Sequence, residues 1–193
     1  MLATNPLNLR LFTGIAIPPA IARTLEETQA LLRPLVPLRW SPLENLHITT
    51  RFIGAWPEDR LPSLQSTLAA IPPAPSFPVT VGGFGFLPAT RHPKIFYAAV
   101  DGGPPLTALA AATDRALSTI GLEPEQRPYT AHLTLARIRD ENLTALRAHI
   151  SADPQPRFGT FPVTEFHLYS SHPGPAHSTY SILSTYPLTG DAS

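Results

Sequence analysis

The sequence predicts an α+β fold: two pseudo-symmetric αβ lobes with largely antiparallel sheets around a central cleft. Three observations carry this. Strand-length apolar runs alternate with segments of helical period along the whole chain. The same order of elements occurs twice, over approximately residues 10–90 and 94–187. Two hairpin-like regions, 84–100 and 166–187, favour antiparallel over parallel pairing. At 193 residues the chain suffices for a single bilobal domain with its own hydrophobic core.

The first half opens with RLFTGIAI (10–17), read as a strand. Ile21, Leu25, Leu31 and Leu32 then recur at helical spacing over 19–33, where Pro34 stops the helix. A strand over 46–53 is followed by a helix over 58–70, whose opening Glu58 and Asp59 suit the positive end of a helix. A strand over 77–87 closes the half. The second half repeats the order. KIFYAAV (94–100) is a strand, and Leu106, Leu109, Thr113, Leu117 and Ile120 mark one face of a helix ended by Gly121. AHLTLARI (131–138) is a strand, 141–150 a helix, 161–170 a strand and 178–187 a final strand. Phe12 precedes His47 by 35 positions and Phe96 precedes His132 by 36, and FPVT occurs at both 77–80 and 161–164. These spacings point to an internal duplication.

Composition narrows the function. Fourteen basic residues balance 14 acidic ones, and charged residues make up 15% of the chain. That is not the footprint of a protein that grips long nucleic acid by its backbone, although a small anion or one terminus of a nucleic acid needs only a local positive cluster. The absence of cysteine excludes disulfides, thiolate metal sites and a cysteine nucleophile. The start, MLATNPLNLR, has no apolar signal core, and no apolar run approaches ~18 residues. A soluble, cytoplasmic protein without membrane contact is expected. The 24 prolines punctuate loops rather than forming one linker.

The stretch ENLHITTRF (44–52) places His47 and Thr49 two residues apart in a strand, hence on one face, with Ile48 on the other. The second half repeats the arrangement in AHLTLAR, with His132 and Thr134. His177 and Thr179 have the same spacing but lie beside a Pro/Gly-rich turn, at no equivalent place in the repeat. His167, His172 and His177 form an H-x4-H-x4-H series, read as scattered loop histidines and not as a metal site.

LRLFTGIAIPPAI, RWSPLENLHITTRFIG, FGFLP and EQRPYTAHLTLAR together resemble the two-histidine (2H) phosphoesterase superfamily, in particular its RNA 2′,3′-cyclic phosphodiesterase branch, also named 2′-5′ RNA ligase. The resemblance covers nearly the whole chain. It implies a bilobal fold with both His-x-Thr-x motifs lining a cleft, no cofactor and no catalytic metal. It further implies hydrolysis of 2′,3′-cyclic phosphodiesters at RNA 3′ ends, or of small cyclic nucleotides, to a 2′-phosphate. His47 would be the proton donor and His132 the acceptor; the near-symmetric motifs alone do not order them. RNA ligation by the reverse reaction and a non-catalytic RNA-end or nucleotide-binding module are the alternative readings. A monomer without protein partners is expected.

Opening a cyclic phosphodiester needs a base for the attacking water and an acid for the departing alkoxide, which two histidines can supply near neutral pH. The hydroxyls of Thr49 and Thr134 can donate to the non-bridging phosphate oxygens. Arg137 matches the pattern of the family as a further phosphate contact, but strand alternation turns it away from the cleft unless a bulge intervenes. Arg51, four positions after His47, has the favourable parity and is the second candidate; for both arginines a surface ion pair is the competing reading. Tyr129 and Phe12 are candidates for stacking on a base, with core packing the competing reading for Phe12. Thr50 stands where the family more often has an aliphatic residue; facing the core, it should have a small packing consequence.

Overall fold

The computed structural model describes residues 8–152, 156–175 and 177–190. Its elements are β1 (Asn8–Ala16), α1 (Pro19–Leu32), β2 (Arg39–Trp40), β3 (His47–Pro57), α2 (Leu61–Ala69), β4 (Phe77–Leu87), β5 (Ile95–Asp101), α3 (Gly103–Ser118), β6 (His132–Arg137), α4 (Thr144–Ala152), β7 (Arg157–Val163), β8 (Glu165–His172) and β9 (Thr179–Pro187). Prolines sit in the first turns of α1, α2 and α3, where the missing N–H has no helical partner to lose. Leu106, Leu109, Thr113 and Leu117 form the buried face of α3, as the spacing predicts. Ile120 falls beyond its end, and Gly121 takes a positive φ of 94° to turn the chain. The helix expected over 58–70 is a 3₁₀ turn at Glu58–Arg60 followed by α2.

All the named ladders are antiparallel and join into one sheet in the order β7-β4-β5-β6-β3-β1-β8-β9, with β2 paired on β6. β4 lies beside β5 and β8 beside β1, so each half of the chain sends a strand to flank the other half. At the centre, β3 meets β6 through the pair Ile48 and Leu133, both fully buried. One face carries the helices: α3 packs on β3 and β4, α2 on β9 and α1 on β7. The other face is concave. Phe12 pairs with Phe52 and His47 with Ala16, four residues further along β1, yet the two rings meet at 4.5 Å above Gly14.

The strand expected over 161–170 is in fact two strands, β7 and β8, separated at Thr164 and lying in different parts of the sheet. The reason lies in the two FPVT copies. They pair with each other, Phe77 opposite Val163 and Pro78 opposite Pro162, and do not occupy equivalent places. Pro162 cannot donate a ladder bond, which suits β7 to the edge of the sheet. The chain leaves that edge after Val163 and re-enters beside β1. β2 is too short to show a period in the sequence; it exists because Arg39 and Trp40 find Arg137 and Ala136 of β6.

Leu133 sits at the seam with no exposed surface. Leu133→Ala should lower stability by about 2–5 kcal/mol through lost burial and the cavity left behind, read from urea unfolding midpoints.

Candidate active site

His47 is the first residue of β3 and His132 the first of β6. Because Ile48 pairs with Leu133 in antiparallel sense, His47 comes beside Thr134 and Thr49 beside His132 on the concave face. Both rings are held by the same local device. Nδ1 of His47 is 2.7 Å from the Asn45 carbonyl, and Nδ1 of His132 is 2.8 Å from the Thr130 carbonyl. A carbonyl can only accept, so each Nδ1 carries the proton and donates it. In the neutral form of either ring this leaves Nε2 without a proton. That of His47 accepts from the Thr49 hydroxyl at 3.0 Å.

A register shift follows each motif at the same place. Thr49 pairs with Gly14 and Arg51 with Thr13, leaving Thr50 extra; Thr134 pairs with Tyr97 and Ala136 with Phe96, leaving Leu135 extra. Each bulge resets the alternation of its strand. On β6 the two residues after Thr134 are both buried and Arg137 emerges on the exposed side, close enough for its charge to act on His47. The carbonyl of the bulged Leu135 accepts from Ser41 N at 2.8 Å. On β3 the same shift overturns the expectation for Arg51. It turns toward the helices, where Nε lies 2.6 Å from the Asp114 carboxylate of α3 and the guanidinium also donates to the Glu123 and Phe52 carbonyls. Phe52 takes the exposed place that Arg137 takes on β6. Thr50 faces the core, as expected, and satisfies its hydroxyl against that of Thr13 at 2.7 Å.

The surroundings of the two rings differ. Phe12 stacks on His47 at 4.5 Å, with Tyr180 edge-on at 5.2 Å and Tyr169 at 5.9 Å. This burial, aided by the charges of His132 and Arg137 and opposed by the hydrogen bond to Asn45, lowers the His47 pKa to about 4. Gly14 makes the packing possible: a Cβ there would stand 2.8 Å from the Ile48 carbonyl oxygen and 3.4 Å from His47 Cδ2. His132 has one aromatic neighbour among the described contacts, Tyr97 at 5.5 Å. Across β4, Gly85 makes room for the Tyr97 ring in turn.

Phe12 is thus neither a free stacking surface nor part of the main core; it is buried against His47 and Tyr169. Tyr129 donates its hydroxyl to the Thr49 carbonyl at 2.9 Å, bracing β3 where the motif sits, and burial raises its pKa. Asn45 escaped the sequence reading: it is buried and its Nδ2 donates to the Ser178 carbonyl at 2.6 Å, tying the start of β3 to the segment that delivers Tyr180. Tyr97, Tyr169 and Tyr180 went equally unnoticed, since their positions depend on strand order rather than on any local pattern. His167, His172 and His177 have separate partners, respectively Thr185 with Glu165, Ser170, and Glu44. Among the described residues, no three His, Asp or Glu side chains form a group that could hold a metal ion. No helix among them is long and apolar enough to cross a membrane.

His47 resists protonation when folded but not when unfolded, and burial shifts His167 in the same direction. The unfolded chain therefore binds more protons below the ordinary histidine pKa of 6.5. Stability should be fully present above that pH and fall as the pH drops from 6.5 toward 4. Urea midpoints measured across this window should fall less steeply for His47→Gln than for the wild type.

A profile of the 2′-5′ RNA ligase superfamily matches residues 17–175. A Thermus thermophilus protein named RNA 2′,3′-cyclic phosphodiesterase is 28% identical over 192 residues, covering 95% of this chain and 92% of its own. An Aeropyrum pernix protein of the same name is 34% identical over 113 residues, covering 58% of this chain and 64% of its own. The structure of E. coli LigT complexed with 3′-AMP superposes with a TM-score of 0.79 at 26% identity, covering 94% of this chain and 99% of that one. The fold, with its antiparallel sheet and helices on one face, is that of the 2H phosphoesterases, and the chain belongs to the 2′-5′ RNA ligase superfamily.

Proposed function

We propose that this protein opens 2′,3′-cyclic phosphodiesters at RNA 3′ ends, leaving a 2′-phosphate, by metal-independent acid/base catalysis between His47 and His132. The observation that carries this reading is the paired anchoring of the two imidazoles. Each Nδ1 is committed to a carbonyl two residues earlier, which leaves Nε2, met in His47 by the Thr49 hydroxyl, as the nitrogen for proton transfer on a shared concave face. Binding alone has no need of two such groups. The names of the relatives support the substrate class, and the 3′-AMP bound to LigT supports recognition of a nucleotide phosphate.

In this reading, water attacks phosphorus as His132 Nε2 takes its proton. The bond from phosphorus to the 3′ oxygen breaks, and His47 Nε2 delivers a proton to that oxygen. Burial disfavours the cation of His47. The phosphate of the substrate supplies the negative charge that lets it take up the proton it will donate. Thr49 and Thr134 donate to the non-bridging oxygens, and Arg137 adds a permanent positive charge. With basic and acidic residues balanced at 14 each, a second RNA end finds little electrostatic hold, which favours water over an RNA hydroxyl as nucleophile.

The test is a short RNA ending in a 2′,3′-cyclic phosphate, incubated with the protein in excess EDTA, with the position of the product phosphate determined. Conversion to the 2′-phosphate is expected, and His47→Ala or His132→Ala should each cost about 10²–10⁴-fold in kcat. Wild-type turnover by either folded variant would overturn the assignment. Arg137→Ala should lower kcat/KM by roughly 10–100-fold, the worth of one charged hydrogen bond. Arg51→Ala should instead leave kcat/KM intact and reduce stability by about 3 kcal/mol, because Asp114 loses its partner.

A further inference from the structure

Among the described residues, three large apolar side chains are more than half exposed: Leu31, Phe52 and Ile182. Two of the three belong to one row. Phe52 of β3 pairs with Phe12 of β1, Phe12 with Tyr169 of β8, and Tyr169 with Ile182 of β9. Directly paired residues of antiparallel strands share a face, and Phe12 stacks on His47. The row therefore crosses the concave face beside His47, its middle covered and its ends 53% and 52% exposed. Arg10 stands two residues before Phe12 on the same face of β1, about 7 Å along the strand. It is exposed and lies opposite the small Ala55, and its side chain makes no hydrogen bond or ion pair among the described residues.

An apolar surface beside a guanidinium that none of the described residues pairs is matched to bases joined by a phosphate. Bases lose little by leaving water for an apolar or aromatic surface, and an arginine fork holds a phosphate by paired hydrogen bonds. The surface is continuous with the proposed reaction centre, because the ring that forms its middle is the ring that packs on His47. We propose that Arg10 and the row of Phe52, Phe12, Tyr169 and Ile182 form a subsite for the RNA immediately upstream of the reacting terminus. Bases rest on the exposed ends of the row and Arg10 holds a linking phosphate. This rests on the function proposed above and extends it: the substrate is an oligonucleotide end, read over more than its terminal nucleotide, and a cyclic mononucleotide fills only part of the site.

The experiment compares a trinucleotide ending in a 2′,3′-cyclic phosphate with the cyclic mononucleotide of the same terminal base, for the wild type, Arg10→Gln and Ile182→Ser. Both substitutions replace exposed side chains and should leave the fold unaltered. The wild type should favour the trinucleotide by about tenfold or more in kcat/KM. Each variant should lose several-fold of that preference, mainly in KM, while turning over the mononucleotide as before. Equal use of both substrates by the wild type, or variants that affect both substrates alike or neither, overturns the subsite. Fluorescence anisotropy with a labelled trinucleotide carrying a 2′-phosphate separates this from the proposed reaction. If the wild type turns over neither substrate, the reaction fails, and binding still decides the subsite. Tighter binding by the wild type than by Arg10→Gln, with a slope of log Kd against log salt steeper by about 0.7, sustains it; equal binding overturns it.

Discussion

One extra residue in each of two strands decides what the concave face of this protein carries. Regular alternation after His132 would have sent Arg137 into the helices and, after His47, would have set Arg51 in the cleft. The bulges at Thr50 and Leu135 reverse both. They bring one cation to the face with the histidines and commit the other to Asp114 on α3. A bulge also bends its strand, and here the bending has a partner in Gly14, which lets rings from separated points of β1 and β3 converge. The chemistry of the face and its curvature thus have a common origin.

The approximate twofold relation between β3 and β6 ends at the rings. Both histidines have the same tautomer, imposed by the same kind of carbonyl. Their solvation is unlike. His47 lies under Phe12, Tyr169 and Tyr180, and its cation is disfavoured; Tyr97 is the described ring neighbour of His132. In the proposed reaction, where one histidine serves as base and the other as acid, the pair gains from being made different before the substrate arrives. Of the three rings over His47, Phe12 comes from β1, while Tyr169 and Tyr180 come from β8 and β9, which the second half of the chain contributes, so the asymmetry follows from strand order and not from the motifs.

The parts of this design that depend on local pattern are legible in the sequence. His47, Thr49, His132 and Thr134 announce themselves by spacing and by repetition, and strand and helix periods place most elements within a few residues of where they lie. Properties that depend on pairing were hidden. Nothing in HITTRF or HLTLAR marks Thr50 or Leu135 as the residue without a partner, since a bulge is settled by the neighbouring strand. The FPVT repeat misled for a related reason: identical segments can pair with one another as readily as they can mark equivalent places. Tyr169 and Tyr180 reach His47 across more than 120 residues of sequence, a distance that no periodicity spans.

The exchange of strands between halves has a consequence for how the molecule comes into being. With β4 beside β5 and β8 beside β1, the arrangement is that of a strand-swapped dimer written into one polypeptide. During synthesis the first half cannot complete its sheet until the last strands have been made, so the aromatic side of the cleft forms late. Such dependence on contacts remote in sequence slows folding. It also gives the finished protein a single cooperative unit: neither half can open fully without stripping a strand from the sheet of the other.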